Sequence, residues 1–221
     1  MGSDRRMLRT ALALGGAGLA VRGLTRLATR SGVTDAEVTR ALPGDDLIAG
    51  TVHVIDRAAT LPASVATTWP WIVQLGKQRA GWYFPRWIEV VIPRGRRGLR
   101  AIDPALRTLS RGQRVPDWGP GDPQFEVAQI EPETALVYLT LRQRSRNSTW
   151  PERTDPLPAD VMAASWALVL NPIDEAHSRL HLRLRVRTKR ERSPLMLLGG
   201  LFDWATVAPL FAGLRERVGA R

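Results

Sequence analysis

A chain of 221 residues without a single cysteine has no disulfides, no thiolate zinc sites and no cysteine nucleophile. Its length suffices for one well-buried core and is short for two, and its 44% hydrophobic content is ordinary for a globular domain. The net charge of +11 rests on arginine, because lysine occurs only at Lys77 and Lys189, and it favours anionic partners: acidic lipid, an acidic ligand or nucleic acid.

Residues 1–40 read as a basic N-terminal leader ahead of a domain spanning residues 41–221. The uncharged run from Thr10 to Val21 is too short to cross a bilayer as a helix. It has the length of a signal-peptide core, follows Arg5, Arg6 and Arg9, and precedes a weak small-residue cleavage pattern at Gly18 to Ala20. The paired arginines resemble a twin-arginine signal, but the flanking residues fit poorly. The competing reading is a basic, moderately amphipathic helix lying on an anionic membrane surface. The expected location is the cytoplasm, with the N-terminus as the point of any membrane association and export left open.

The turn residues of ALPGDD, Ala41 to Asp46, end the leader. DRAATLPAS reads as a short strand ending at Pro62. Ser64 predicts the N-cap of a helix from Val65 to about Leu75, stopped by Gly76. Pro70 falls inside it, and an interior proline costs about 3 kcal/mol. Either it marks a strained functional place, or it is the first residue of the real helix, where proline costs little. GWYFPRWIEVVI and a basic linker, PRGRRGLR, follow.

Strands come next: GQRVPDW, then Gln124 to Pro132, then Thr134 to Arg142, the last two joined by a tight turn at Pro132 and Glu133. SWALVLNP and SRLHLRLRVRT flank the turn NPIDEAH. In the final strand Leu180, Leu182, Leu184 and Val186 point one way, and Arg179, His181, Arg183, Arg185 and Arg187 the other. Such alternation predicts a sheet covered on one side only. The arginine row reads as a solvated face offset by Glu126 or Asp174, or as a surface docking on acidic lipid. Nucleic acid is not expected, because no aromatics interleave with these arginines.

The polar loop from Gln143 to Asp160, with Trp150 at its centre, is either a lid or a solvated insertion. The NST sequon at Asn147 is short enough to arise by chance. Ser193 and Pro194 make a helix start. From Leu195 to Leu214 the only charge is Asp203, so length alone would allow a membrane span. Gly199, Gly200, Asp203 and Pro209 argue instead for a core helix lying on the half-covered sheet. The fold class expected is α+β, a curved antiparallel sheet gripping a long C-terminal helix.

Half of the eight tryptophans fall within TTWPWIVQLGKQRAGWYFPRWIE, residues 67–89. They read as packed core, as a ligand cavity wall or as a membrane-facing patch. Trp69 and Trp71 stand about 200° apart on a helix, so they do not share a face. An indole N–H needs a partner, which suits a cavity rim.

TTWPWIVQLG, AGWYFPRWIE, LSRGQRVP, SWALVLNP and LFAGLRERV, in this order, resemble the START-like helix-grip (SRPBCC) superfamily over about Ala41 to Arg217. Within it the chain is most similar to a bacterial polyketide cyclase/dehydrase-like branch. Trp69, Pro70, Trp71, Gln74, Gly76, Gly81, Trp82, Tyr83, Trp87 and Glu89 carry the match. Arg86 stands where that pattern has aspartate, Gly112-Gln113 where it has Gly-Asp, and Ala205, Thr206 and Val207 where the last helix often carries acidic and basic residues. The resemblance implies the helix-grip fold and an apolar or amphipathic guest between sheet and long helix.

The ligand-binding candidates are Trp69, Trp71, Gln74, Trp82, Tyr83, Trp87, Phe125 and Trp166. Glu89 is the acid/base candidate: buried beside Trp82 or Trp87 its pKa would rise, as a general acid needs. Its other reading is a salt bridge to Arg86 or another arginine. Tyr83 and Tyr138 are donors to a ligand carbonyl or satisfied core tyrosines. No metal or cofactor is expected: His53, His177 and His181 are scattered, and no phosphate loop, GxSxG elbow or HExxH motif occurs. The expected function is non-covalent binding or transport of a hydrophobic or amphipathic, lipid- or polyketide-like small molecule. A cyclase or dehydratase using Glu89, and a membrane-surface protein docking through leader and arginine face, are the alternatives. Nothing in the sequence speaks to oligomeric state.

Overall fold

The computed structural model describes residues 21–50, 52–118, 121–143, 145–146, 148–150, 157–187 and 194–219. The proposed signal core before Val21, the sequon asparagine at 147 and the capping position 193 lie outside them. Residues 21–29 are helical (α1). The order continues β1 Arg30–Ser31, α2 Asp35–Thr39, β2 Val52–Leu61, α3 Val65–Gln74, α4 Arg86–Glu89, β3 Arg114–Pro116, β4 Gln124–Glu131, β5 Ala135–Gln143, β6 Ser148–Thr149, β7 Val161–Pro172, β8 Ser178–Arg187 and α5 Pro194–Val218. The sheet runs β1-β2-β8-β7-β5-β4-β3, with β6 on β5. Every pairing is antiparallel except β1 with β2. The architecture is α+β, a mostly antiparallel sheet packed against a long C-terminal helix in the helix-grip manner.

Alternation explains the inner face. Leu136 and Tyr138 of β5, Leu168 and Leu170 of β7, and Leu180 and Leu182 of β8 enter one core with Val207, Leu210 and Leu214 of α5. The expectation of a one-sided sheet is corrected by the other face. There Ala135, Val137, Ala167 and Val169 pack under Leu42, and Leu139 and Ala163 pack under Ile48. The segment from Thr34 to Ile48 lies over the arginine row, so that row is not a solvated face.

Arg183 shows why the segment stays there. Its Nε donates to Asp56 Oδ1 (2.8 Å), Nη1 to Arg40 O (2.8 Å) and Asp45 Oδ2 (2.9 Å), and Nη2 to Val38 O (2.8 Å) and Glu37 O (3.2 Å). A guanidinium has five N–H groups, and each finds an acceptor. Three of the acceptors are carbonyls at the C-terminal end of α2, which a helix leaves without internal partners. Arg179 adds two bonds to the Glu37 carboxylate, at 2.7 and 2.9 Å. α2 itself begins in a capping box: Glu37 N donates to Thr34 Oγ1 and Thr34 N to Glu37 Oε2.

Residues before Thr34 are tied in as well. Arg57 is fully buried and donates to Leu27 O, Ala28 O, Gly200 O and Asp203 Oδ2 at 2.8–3.0 Å. The boundary expected after residue 40 therefore falls inside a packed region that begins near Leu27.

Ser64 caps α3, its Oγ accepting from Thr67 N (3.3 Å). Pro70 lies inside α3, not at its first position. It forfeits the bond to the Ala66 carbonyl, and burial of Trp71, Ile72 and Val73 around it offsets that loss. α5 is long and apolar enough to cross a membrane by length and composition alone. Here its second half enters the core, while Leu195, Leu198 and Phe202 of its first half are exposed.

Candidate functional site

Between the inner face of the sheet and the first half of α5 lies a cavity of about 590 Å³. Three cross-strand rows make its floor: Trp166 and Leu184; Thr140, Ala164 and Val186; Arg142 and Met162. Period-two alternation aims these side chains inward. Ala164, between a threonine and a valine, leaves the floor low where larger neighbours would fill it. Gly199, Phe202, Asp203, Thr206 and Val207 of α5 form the roof.

Aromatic rings wall one side. Trp82 lies near-parallel to Trp166, centroids 6.0 Å apart, and edge-on to Trp118 at 5.5 Å. Trp166 also neighbours Phe125 at 6.4 Å and Tyr138 at 6.1 Å. The Trp82 indole is fixed to the roof, Nε1 donating to Thr206 O (3.1 Å). Its N–H is thereby satisfied while its ring stays open to the cavity.

Two carboxylates line the same space. Asp117 pairs with Arg142, whose Nε finds no acceptor among the described residues. Asp203 is held by Arg57 at 2.9 Å. Burial pushes the Asp203 carboxyl above its ordinary value, and the Arg57 guanidinium only partly counters this.

The eight candidate residues divide by position. Trp82, Phe125 and Trp166 line the cavity. Trp71 is core, edge-on to Tyr83 at 5.7 Å. Tyr83 is fully buried, donates from Oη to Trp71 O (2.9 Å), and lies under the Arg217 guanidinium. Burial raises its pKa, so its proton stays in that bond. Gln74 is buried too: Nε2 donates to Ala101 O (3.3 Å), and Oε1 accepts from Asp103 N (3.0 Å). Both amide ends are consumed in fixing the following loop. Trp69 packs half-buried against the core, and Trp87 is 73% exposed on the surface. These five do not line the cavity, because α3 turns its buried face to the core and α4 turns Trp87 outward.

Glu89 is buried but does not border the cavity. Its Oε1 accepts from Arg217 Nη2 (2.8 Å), and its Oε2 from Arg100 Nη2 (2.7 Å) and Nε (2.9 Å). Burial raises its pKa, but hydrogen bonds from Arg217 and Arg100 outweigh this, and the net shift is downward. That corrects the general-acid reading: a group clamped as an anion holds no proton to give. Arg86 is not the partner; its backbone N donates to Glu216 instead. Tyr138 is buried, its Oη finds no partner among the described residues, and it does not line the cavity. Trp150, the lid candidate, donates its backbone N–H to Leu141 O (2.6 Å) and does not line the cavity either; residues 151–156 are outside the described set.

Trp118, Phe84, Phe202, Asp117 and Arg142 escaped the sequence reading. The inward alternation of Met162, Ala164 and Trp166 was the available signal for the floor. Asp203 was visible as the lone charge of its helix. Trp118 sits in irregular chain with no periodicity to reveal it. Among the described residues no group of three or more His, Asp or Glu is placed to hold a metal ion.

No protein-family model matches the sequence, and no curated protein matches it. Solved structures do match in layout. Ara h 8.0201 is 14% identical, with 77% of this chain and 100% of that chain covered and a TM-score of 0.42. The Aha1 dimer from Colwellia psychrerythraea is 13% identical, with 76% and 98% covered and a TM-score of 0.39. A START superfamily protein from Mycobacterium smegmatis is 11% identical, with 76% and 97% covered and a TM-score of 0.32. The similarity lies in a sheet wrapped on a long C-terminal helix, and it says nothing of ligand or activity.

Proposed function

We propose that this chain binds a hydrophobic or amphipathic small molecule, without covalent chemistry, in the cavity between sheet and α5. The carrying observation is the cavity itself: about 590 Å³, walled by Trp82, Trp118, Phe125 and Trp166, with few polar groups. That volume and lining suit a small-molecule site. The Arg142–Asp117 ion pair at the cavity edge suits a polar group on the guest, which favours an amphipathic ligand over a pure hydrocarbon. The finer likeness to polyketide cyclase/dehydrase-like proteins belongs to this proposal and rests on the tryptophan block alone. So does a cytoplasmic location, which rests on the sequence alone. Turnover with Glu89 as the acid or base is disfavoured, because Glu89 is clamped outside the cavity.

Native mass spectrometry of the chain purified from its own host is expected to show a bound mass that disappears on denaturation. Uptake of a fluorescent fatty acid is the second measurement. Ala164→Trp fills the low point of the floor and is expected to weaken uptake at least about tenfold, because the indole takes the guest's volume. A clean apo mass together with no uptake by the unaltered chain sinks the reading.

A further inference from the structure

A second apolar surface stands apart from the cavity. On α4 and the turn that continues it, Trp87, Val90 and Val91 are 73%, 75% and 81% exposed. Their spacing, i, i+3 and i+4, puts them on one helical face. The opposite face carries Glu89, buried against Arg217 and Arg100. The exposure is therefore built in. The chain on either side is pinned from below: Arg217 donates to Phe84 O (2.9 Å), Gly98 O (3.1 Å) and Leu99 O (2.8 Å), and Arg97 to Ile92 O (2.8 Å).

Basic charge predominates around this face, with Glu216 of α5 the acid that meets Arg86 N and Arg100 at its inner edge. Residues 86–100 contain Arg86, Arg94, Arg96, Arg97 and Arg100. Their one acid, Glu89, is neutralised inside the fold. Arg94 and Arg96 are exposed beside the valines. We infer that the Trp87–Val90–Val91 face docks on an anionic lipid surface. Tryptophan favours the headgroup level. Valines enter the acyl boundary, and arginines reach lipid phosphates while their stems lie along apolar surface. A second copy of this chain fits less well, because a two-fold contact sets one arginine rim against the other. The face sits over the last turns of α5, about 15 Å along the helix from Val207 at the cavity roof. It stands whether or not the cavity holds a guest.

The test uses the full chain and sedimentation with phosphatidylcholine vesicles, with and without phosphatidylglycerol. The unaltered chain is expected to bind the anionic vesicles selectively, and less at high salt. Trp87→Ser with Val90→Ser and Val91→Ser is expected to weaken binding at least about tenfold. Its thermal unfolding should stay unchanged, since these side chains contact solvent. Arg94→Gln with Arg96→Gln is expected to weaken binding by a similar factor and flatten its salt dependence. Arg22→Gln with Arg26→Gln removes equal charge on α1 and should leave most of the binding. Three results overturn the inference: no anionic-vesicle binding by the unaltered chain, binding untouched by the triple-serine change, or a dimer of the unaltered chain that this change dissociates.

Discussion

The two halves of α5 are each anchored by one buried arginine from opposite directions, and the anchors differ. Toward the N-terminal end, Arg57 of β2 reaches up to Gly200 O and Asp203. Near the C-terminal end, Arg217 reaches from the helix down to Leu99 O, Phe84 O, Gly98 O and Glu89. Both guanidiniums are saturated with acceptors, but their carboxylates are not equivalent. Glu89 has two arginines and is held down. Asp203 has one, borders the cavity and is pushed up by burial. Ionic strength of attachment thus lies away from the cavity, and the cavity end carries a carboxylate that burial disfavours.

Removing Arg217 should break the molecule most. Arg217→Met strips Glu89 of its inner partner and leaves backbone carbonyls unpaired, at a cost of about 3–5 kcal/mol in urea unfolding. Arg57→Met should cost less, because Asp203 can take up a proton instead of remaining a buried anion. Equal losses in the two variants would erase the distinction between the two ends.

Neutral isosteres sharpen it. Glu89→Gln is expected to cost about 2–3 kcal/mol at pH 7, and Asp203→Asn about 1 kcal/mol or less. Their pH signatures should have opposite sign. The folded pKa of Glu89 lies below its ordinary 4.5, so its contribution is present above that value and is lost as pH falls through the folded one. Asp203 lies above its ordinary 3.8, so its contribution is fullest below that value and is lost as pH rises through the folded one. Unfolding measured from pH 3 to pH 7 should therefore tilt in opposite directions in the two variants.

The smallest effect concerns the outer face. The hydrogen bond from Arg179 holds the Glu37 carboxyl down to about 2. Its stabilisation is present above the ordinary 4.5 and lost as pH falls toward 2. Because the pair is partly solvated, Glu37→Gln should cost only about 1 kcal/mol at neutral pH, with the difference closing in acid. A much larger loss would mean that the outer segment, not α5, depends most on its ion pairs.

The inner face was legible because it obeys periodicity: β4, β5, β7 and β8 alternate, and Ser64 announces α3. The outer face was not. Arg183 looks solvent-bound in sequence, since its acceptors are largely backbone carbonyls at the end of α2, and carbonyls leave no trace in composition. One sign was present: Thr34-Asp35-Ala36-Glu37 is a capping box inside what reads as leader. The tryptophan block was legible as a cluster and illegible as a direction. Trp71 went to the core, Trp82 to the cavity and Trp87 to the surface. What sends Trp87 outward is Glu89 meeting Arg217, a residue 128 positions away.

α5 crosses its neighbours at two notches. A Cβ on Gly200 would run into the Ala28 carbonyl, and one on Gly213 into the Tyr83 carbonyl. The helix therefore rests like a beam on two piers of main chain. The piers set the height of the room beneath its span, and a methyl group at the Gly200 pier would tilt the beam and change the headroom for whatever enters.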